Sequence, residues 1–421
     1  MQKLAIIGTG ISGMGAAYFL RGRYDITFYE KNNYPGGHTN TLTLTENGQP
    51  VYVDSAFMVY NETTYPLLTR LFKELDVQTK PTSMSFSVQH VPSGLEFSGT
   101  GLNGLFAQRR NLLNPRYVSM LLEISRFNTE AVEVLDDPRY ADMSLADYIA
   151  AKGYSEEFLY KFLVPMASAV WSTPVDTMLG FPAVTLVRFF KNHCFLGLEG
   201  HLQWRTCVGG SRQYREKLLA KVGAKMWTDR GAVKVSAKAD KVTVTDSTGA
   251  SIDYDRVIMA CHADEALSIL ETPTALQTEL LKEFAYGDNK TTLHSDRSVM
   301  PRTKRAWSSW NYRIQKDTKG QWATTTIYDM NNLQGVSAAQ DYFVSINDPG
   351  LIDPQKILWE TVYRHPIYSV GGQKAQARLH LLNQESRVYF CGAYFRYGFH
   401  EDGLWSGLNA ARAVTGEEIW A

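Results

Sequence analysis

Short apolar runs separated by glycine-rich turns open the chain. Within residues 3–8 (KLAIIG) the run after Lys3 is continuously apolar, which predicts a strand buried on both faces of a parallel sheet. After a glycine turn, residues 14–20 read as a helix and residues 25–29 as a second strand. Alternation of period two returns at residues 232–236 and 241–245 and predicts strands of a hairpin-rich insertion. Residues 322–328 and 342–346 are aromatic and β-branched, consistent with a sheet. Between about 81 and 205, amphipathic stretches with few turn signals predict helices. Residues 388–391 predict a last strand, followed by a glycine-rich loop and a helix beginning near Leu404. No apolar run approaches the ~20 residues needed to span a bilayer. The first residues enter the first strand directly, so the N-terminus reads as a fold element, not a signal peptide.

Composition narrows the function classes. In 421 residues, 43 basic side chains balance 43 acidic ones, which gives no electrostatic reason to expect nucleic acid as a partner. Hydrophobic residues at 44% and charged residues at 20% are globular proportions. Cys194, Cys207, Cys261 and Cys391 stand far apart, without metal-ligand spacing, and the nine histidines are scattered. A metal site is therefore not expected, and a reducing, cytoplasmic setting is.

The first turn carries specific chemistry. Gly8, Gly10 and Gly13 form G-x-G-x-x-G between a predicted strand and helix, with Ile11 and Ser12 inside the turn. Gly8 permits the tight turn, Gly10 lets backbone approach a pyrophosphate, and Gly13 lets the helix pack on the sheet. The helix N-terminus offers free N–H groups to phosphate. Glu30, at the end of the second strand, stands where an acid accepts hydrogen bonds from a ribose diol, and its charge disfavours a 2′-phosphate. Lys31 follows, and then Gly36-Gly37-His38, a glycine pair able to approach the same ligand from the other side. Near the other end lie Gly392-Ala393-Tyr394 and residues 398–407, with Gly403, Leu404 and Ser406 opening a helix. A helix N-terminus there would face the flavin edge where charge gathers on reduction, which decides between NAD and FAD in favour of FAD.

With these landmarks, together with Val208-Gly209-Gly210 and residues 254–260, the chain resembles the flavin-containing amine oxidase superfamily. Within it, the closest likeness is to NAD/FAD-binding proteins associated with cyclopropane-fatty-acid synthase. Residues 53–61, Trp171-Ser172, residues 189–193, Leu293-His294-Ser295-Asp296 and residues 398–403 carry that likeness. Two departures fall on Ser55-Ala56 and Cys194-Phe195, where those proteins have Thr-Gly and Gly-Leu. The resemblance implies an α/β fold: a Rossmann-like FAD-binding domain of the amine-oxidase/glutathione-reductase type, interleaved with an α+β substrate domain. The FAD domain is expected from 1–80, 206–270 and 386–421, and the substrate domain from 81–205 and 271–385. The resemblance also implies FAD as the cofactor, adenine held by the backbone at Val233, and a contact at Ala260. Cys391, at the end of a buried strand, is read as packing and not as a covalent link, so the FAD is expected to be non-covalent.

Hydride transfer to flavin requires protein groups that place a C–H bond and manage protons. His294 and Lys290 fall where the superfamily faces the flavin, Lys290 at the rough position of its water-holding lysine. His400 and Tyr394 lie in the C-terminal flavin loop, with Tyr397 and Phe399 as further aromatic candidates. The competing reading for each histidine is a hydrogen-bonded ring that fixes a loop. The expected reaction is oxidation or desaturation of an apolar, fatty-acyl substrate. The alternatives are small-amine oxidation releasing hydrogen peroxide, or a non-catalytic flavin-containing partner of a lipid methyltransferase. Residues 105–113, with Arg116 and Tyr117, mix bulky apolar groups with arginines; the favoured reading is an ordinary partly buried helix with snorkelling arginines, and peripheral membrane contact is the alternative.

Overall fold

A computed structural model describes residues 1–197, 202–317, 319–384 and 386–420. Strand β1 (Gln2–Ile7), helix α1 (Ile11–Leu20) and strand β2 (Tyr24–Tyr29) form the expected unit, and β1 and β2 pair in parallel. Strands Lys225–Trp227, Arg256–Met259 and Val388–Phe390 complete a five-stranded parallel sheet in which β1 is central. Burial on both faces explains the unbroken apolar run of β1, where Leu4, Ala5 and Ile6 are fully buried. α1 is buried all round. One side lies on the sheet, and the other meets the C-terminal helix His400–Thr415. That helix begins four residues before the expected Leu404, because glycine at 403 does not interrupt it and the Asp402 carboxyl accepts from the Phe399 N–H at 3.0 Å, satisfying a donor at the helix start.

The second layer is a seven-stranded sheet. Its strand order is Ile357–Ile367, Ala285–His294, Phe343–Ile346, Trp322–Asp329, Trp310–Lys316, Phe86–His90 and Leu95–Ser98. The last two correct the expectation of a helical stretch from residue 81. Phe86–His90 is a five-residue strand recruited by parallel pairing with Trp310–Lys316, a contact too distant in sequence for local periodicity to reveal. Helices follow, among them Pro115–Glu130, Val164–Trp171 and Ala183–Asn192, which share one aromatic-rich core with Phe97. No helix among the described residues is long and apolar enough to cross a membrane.

Candidate active site

A cavity of about 760 Å³ runs from the carboxyl ends of β1 and β2 to the helical layer and the seven-stranded sheet. Ligands of open parallel sheets bind at this end of the strands. Gly8, with φ +100, makes the turn after β1, where an added Cβ would lie 2.7 Å from the Ala260 carbonyl oxygen. A Cβ on Gly13 would land on the Gly8 carbonyl oxygen, so α1 can pack this close only with glycine there. Gly10 differs. Its φ of −61 suits any residue, and an added Cβ would meet no atom within 4 Å. Gly10 is the N-cap of α1 and no side chain caps that end, so the first N–H groups stay available to an anion.

Around this turn, Glu30 is buried and lines the cavity, held by Thr9 and by the Asn32 N–H at 2.9 Å. Ile11, Ser12, Lys31, Gly36, Gly37, His38, Ala260, Gly392 and Ala393 line it too. Among the described residues, four buried polar atoms on lining residues have no partner within the protein: His38 Nε2, His262 Nδ1, the Tyr394 hydroxyl and, on the large sheet, Trp310 Nε1. An uncapped helix end, a glycine facing open space and the unpartnered atoms of His38, His262 and Tyr394 fit a bound dinucleotide that supplies the missing partners.

The histidines of the wall are neutral. Burial lowers His365 and His400 to about 4 and about 3, and holds His38 well below the ordinary value, reinforced by neighbouring histidines. Burial also lowers His262. The His400 ring stacks on Phe57 at 3.6 Å, and its Nε2 lies 3.0 Å from the Tyr214 hydroxyl. His262 stacks on Tyr286 at 4.3 Å, and His365 Nδ1 lies 3.2 Å from Asn289 Nδ2.

Several expected site residues stand elsewhere. Lys290 is exposed and pairs with Glu360 at 2.7 Å, while its neighbour Thr291 faces the cavity. His294 is fully buried off the cavity, with Nε2 2.8 Å from the Ser345 hydroxyl and Nδ1 accepting from the Asp296 N–H at 3.1 Å. It fixes a loop. The Val233 side chain is exposed at the irregular point of its strand pairing, directly after Gly231 and Ala232, which line the cavity. Gly403, Leu404 and Ser406 pack the scaffold. An added Cβ on Gly403 would lie 2.7 Å from Ile11, and one on Gly15 would lie 2.7 Å from Leu404. Ser406 Oγ accepts from the Gly392 N–H at 2.9 Å, fixing the loop that carries Tyr394. Sequence reasoning missed Cys261 and His262, although they follow a strand of the parallel sheet at its carboxyl end, which was the available signal. It also missed Tyr286, Trp310, Tyr328 and Tyr363, which no local pattern marks. The two departures bear on the same place: Ser55, Ala56 and Phe195 line the cavity, and Cys194 takes φ +55, a conformation favouring glycine.

Comparison with known proteins agrees with this geometry. A family model described as flavin containing amine oxidoreductase matches residues 11–331. Coproporphyrinogen III oxidase of Staphylococcus aureus (strain NCTC 8325 / PS 47) is 22% identical over 189 residues, 42% of this chain and 38% of that protein, so the match spans well under half of the relative. Among solved structures, cyclohexylamine oxidase from Brevibacterium oxydans IH-35A is similar with a TM-score of 0.68 at 15% identity. A CLA-producing fatty acid isomerase from P. acnes has a TM-score of 0.67 at 13% identity, and both alignments cover 99% of each chain. At these identities the likeness is one of fold.

Proposed function

Because the chain belongs to the flavin-containing amine oxidoreductase family, we propose that it is an FAD-dependent oxidoreductase that takes a hydride from a C–H bond of a fatty-acyl substrate, as a desaturase or oxidase. Flavin, when bound, accepts the two electrons of such a bond. The distribution of charge on the cavity wall carries the reading. Among the described residues, the charged side chains lining it are Glu30, Lys31, Glu265 and Arg364. Lys31 and Arg364 both approach Glu265, at 2.5 and 3.8 Å, so these cations gather at one acid near the dinucleotide turn. Met84, Val170, Trp171, Phe189, Trp310 and Ile346 form an apolar stretch of the wall, while the large sheet also contributes the polar groups of Thr291, Tyr328, Thr361, Arg364 and His365. Such an apolar stretch excludes water and holds methylene groups by dispersion and burial.

The test incubates the holoenzyme with defined phospholipids and follows their fatty acids by mass spectrometry. A loss of two hydrogens per acyl chain is expected, and unchanged acyl masses with every lipid would refute the substrate class. One observation favours a second reading, amine oxidation: the Trp310 and Tyr328 rings line the cavity at 6.2 Å, nearly parallel, and aromatic faces attract an ammonium group. Peroxide release from a panel of amines, without change in the lipids, selects that reading. The likeness to cyclopropane-synthase-associated proteins supports a lipid methyltransferase as a working partner, checked by co-elution of the two purified proteins.

The attachment of the flavin gives a separate expectation. Cys391 is fully buried, and burial pushes its thiol well above the usual range, away from the thiolate that a covalent link requires. Acid precipitation is therefore expected to release all the flavin into the supernatant. Yellow colour retained in the washed pellet would contradict non-covalent binding.

A further inference from the structure

Fourteen large hydrophobic side chains are exposed among the described residues, and five of them fall between residues 102 and 122. They are Leu102, Leu112, Leu113, Val118 and Leu122, exposed at 75, 54, 91, 38 and 67%. The same stretch contains Arg109, Arg110 and Arg116, all exposed, and no acidic residue from 97 to 122. The turn Lys304–Ala306 packs against the short helix Gly101–Leu105 and adds exposed Lys304 and Arg305.

Secondary contacts fix this surface in place. Arg109 donates to Asn103 Oδ1 and to the Phe106 carbonyl, both at 2.8 Å. The Tyr117 hydroxyl donates to the Leu105 carbonyl at 2.6 Å. Asn114 caps helix Pro115–Glu130 by accepting from the Arg116 and Tyr117 N–H groups. Val118 and Leu122 are four residues apart on that helix and share a face. Leu113 immediately precedes the cap, so its exposure follows from a bonded turn.

We propose that this face docks on an anionic phospholipid bilayer, with the leucines in the interfacial region and the arginines against lipid phosphates. Charge complementarity selects the occupant. Exposed aliphatic groups bordered by cations without a single intervening acid match a negatively charged interface, which takes apolar side chains and basic side chains together. A second copy of this chain would present the same cations to one another. The helices behind the patch share a core with Trp171 and Phe189, which line the cavity, so docking would set the cavity's helical wall on the membrane side. The proposal does not depend on the acyl substrate, because binding is read without turnover.

The experiment is co-sedimentation of the holoenzyme with phosphatidylglycerol–phosphatidylcholine vesicles and with vesicles of phosphatidylcholine alone. Binding to the anionic vesicles is expected, weakening as salt rises and Debye screening shortens. Leu113→Ser/Leu122→Ser is expected to lower vesicle affinity about tenfold or more, since each loses interfacial burial. Arg110→Gln/Arg116→Gln is expected to flatten the salt dependence. All four positions are exposed, so flavin absorbance and the thermal midpoint serve as checks that each variant is folded. No sedimentation with anionic vesicles, or equal binding by both variants, would overturn the proposal. So would a solution dimer that the leucine substitutions dissociate.

Discussion

Gly10→Val is expected to fold normally and to lose its flavin. Gly10 has φ −61 and ψ 175, which valine adopts without strain, and a Cβ there meets no protein atom within 4 Å. What it meets is the space in front of α1 that a pyrophosphate must enter. Three added carbon atoms there should weaken FAD binding by about a hundredfold or more, on the order of 3 kcal/mol. The thermal midpoint of the flavin-free protein should stay within ~2 °C of wild type, since no buried contact changes. Gly13→Val is the control, because its Cβ collides with the Gly8 carbonyl and also lies 3.1 Å from the Ala260 Cβ, so folding itself should suffer. Fluorescence titration of each apoprotein with FAD reads the first effect and thermal unfolding the second. Gly10→Val binding FAD as tightly as wild type would show that the phosphates do not lie against this turn.

Asp402→Asn is expected to stabilise the protein at pH 8 far more than at pH 5. Asp402 is buried in the first turn of the C-terminal helix, and burial raises its carboxyl to about 7, against an ordinary value of 3.8. The folded protein thus holds this proton more tightly than the unfolded chain does. The associated stability is fully present below pH 3.8 and is lost as pH rises through 7. Between pH 5 and 8 the loss is on the order of 2–3 kcal/mol. Asparagine stays neutral and its Oδ1 can still accept from the Phe399 N–H, so the variant avoids the loss. His400 acts in the opposite direction. Its value is lowered to about 3, so its contribution is present above pH 6.5 and is lost as pH falls through 3, but it is common to both proteins and cancels. Thermal midpoints of the two apoproteins at pH 5, 6.5 and 8 measure the difference. A constant gap across that range would mean that Asp402 is ionised throughout.

The dinucleotide end was legible because its requirements are local. A strand, a turn with glycine at fixed offsets and a helix must follow one another within thirty residues, and Gly8, Gly10, Gly13 and Glu30 could be located without knowing the fold. The opposite wall was not legible, because a strand alternates faces residue by residue. Lys290 and Thr291 are neighbours, yet only Thr291 reaches the cavity, and nothing in the sequence around 290 states which face is inward. His294 lies on the Lys290 side, where Ser345 and the Asp296 N–H satisfy it. The glycines at 403 and 407 were visible as a small-residue pattern, but their work is close packing on Ile11, Ser12 and Ala16, a contact between the two ends of the chain. Phe86–His90 joined a sheet through a partner more than two hundred residues away, beyond any local window.

The most direct measurement is the absorbance spectrum of the purified protein, followed by titration of the stripped apoprotein with FAD and with FMN. One FAD per chain with a flavin spectrum, and no comparable uptake of FMN, is the expected result, since Glu30 acts on the adenosine ribose that FMN lacks and the α1 N-terminus meets two phosphates in FAD but one in FMN. A colourless protein that takes up no FAD, or one that binds FMN equally well, would contradict the assignment of this cavity.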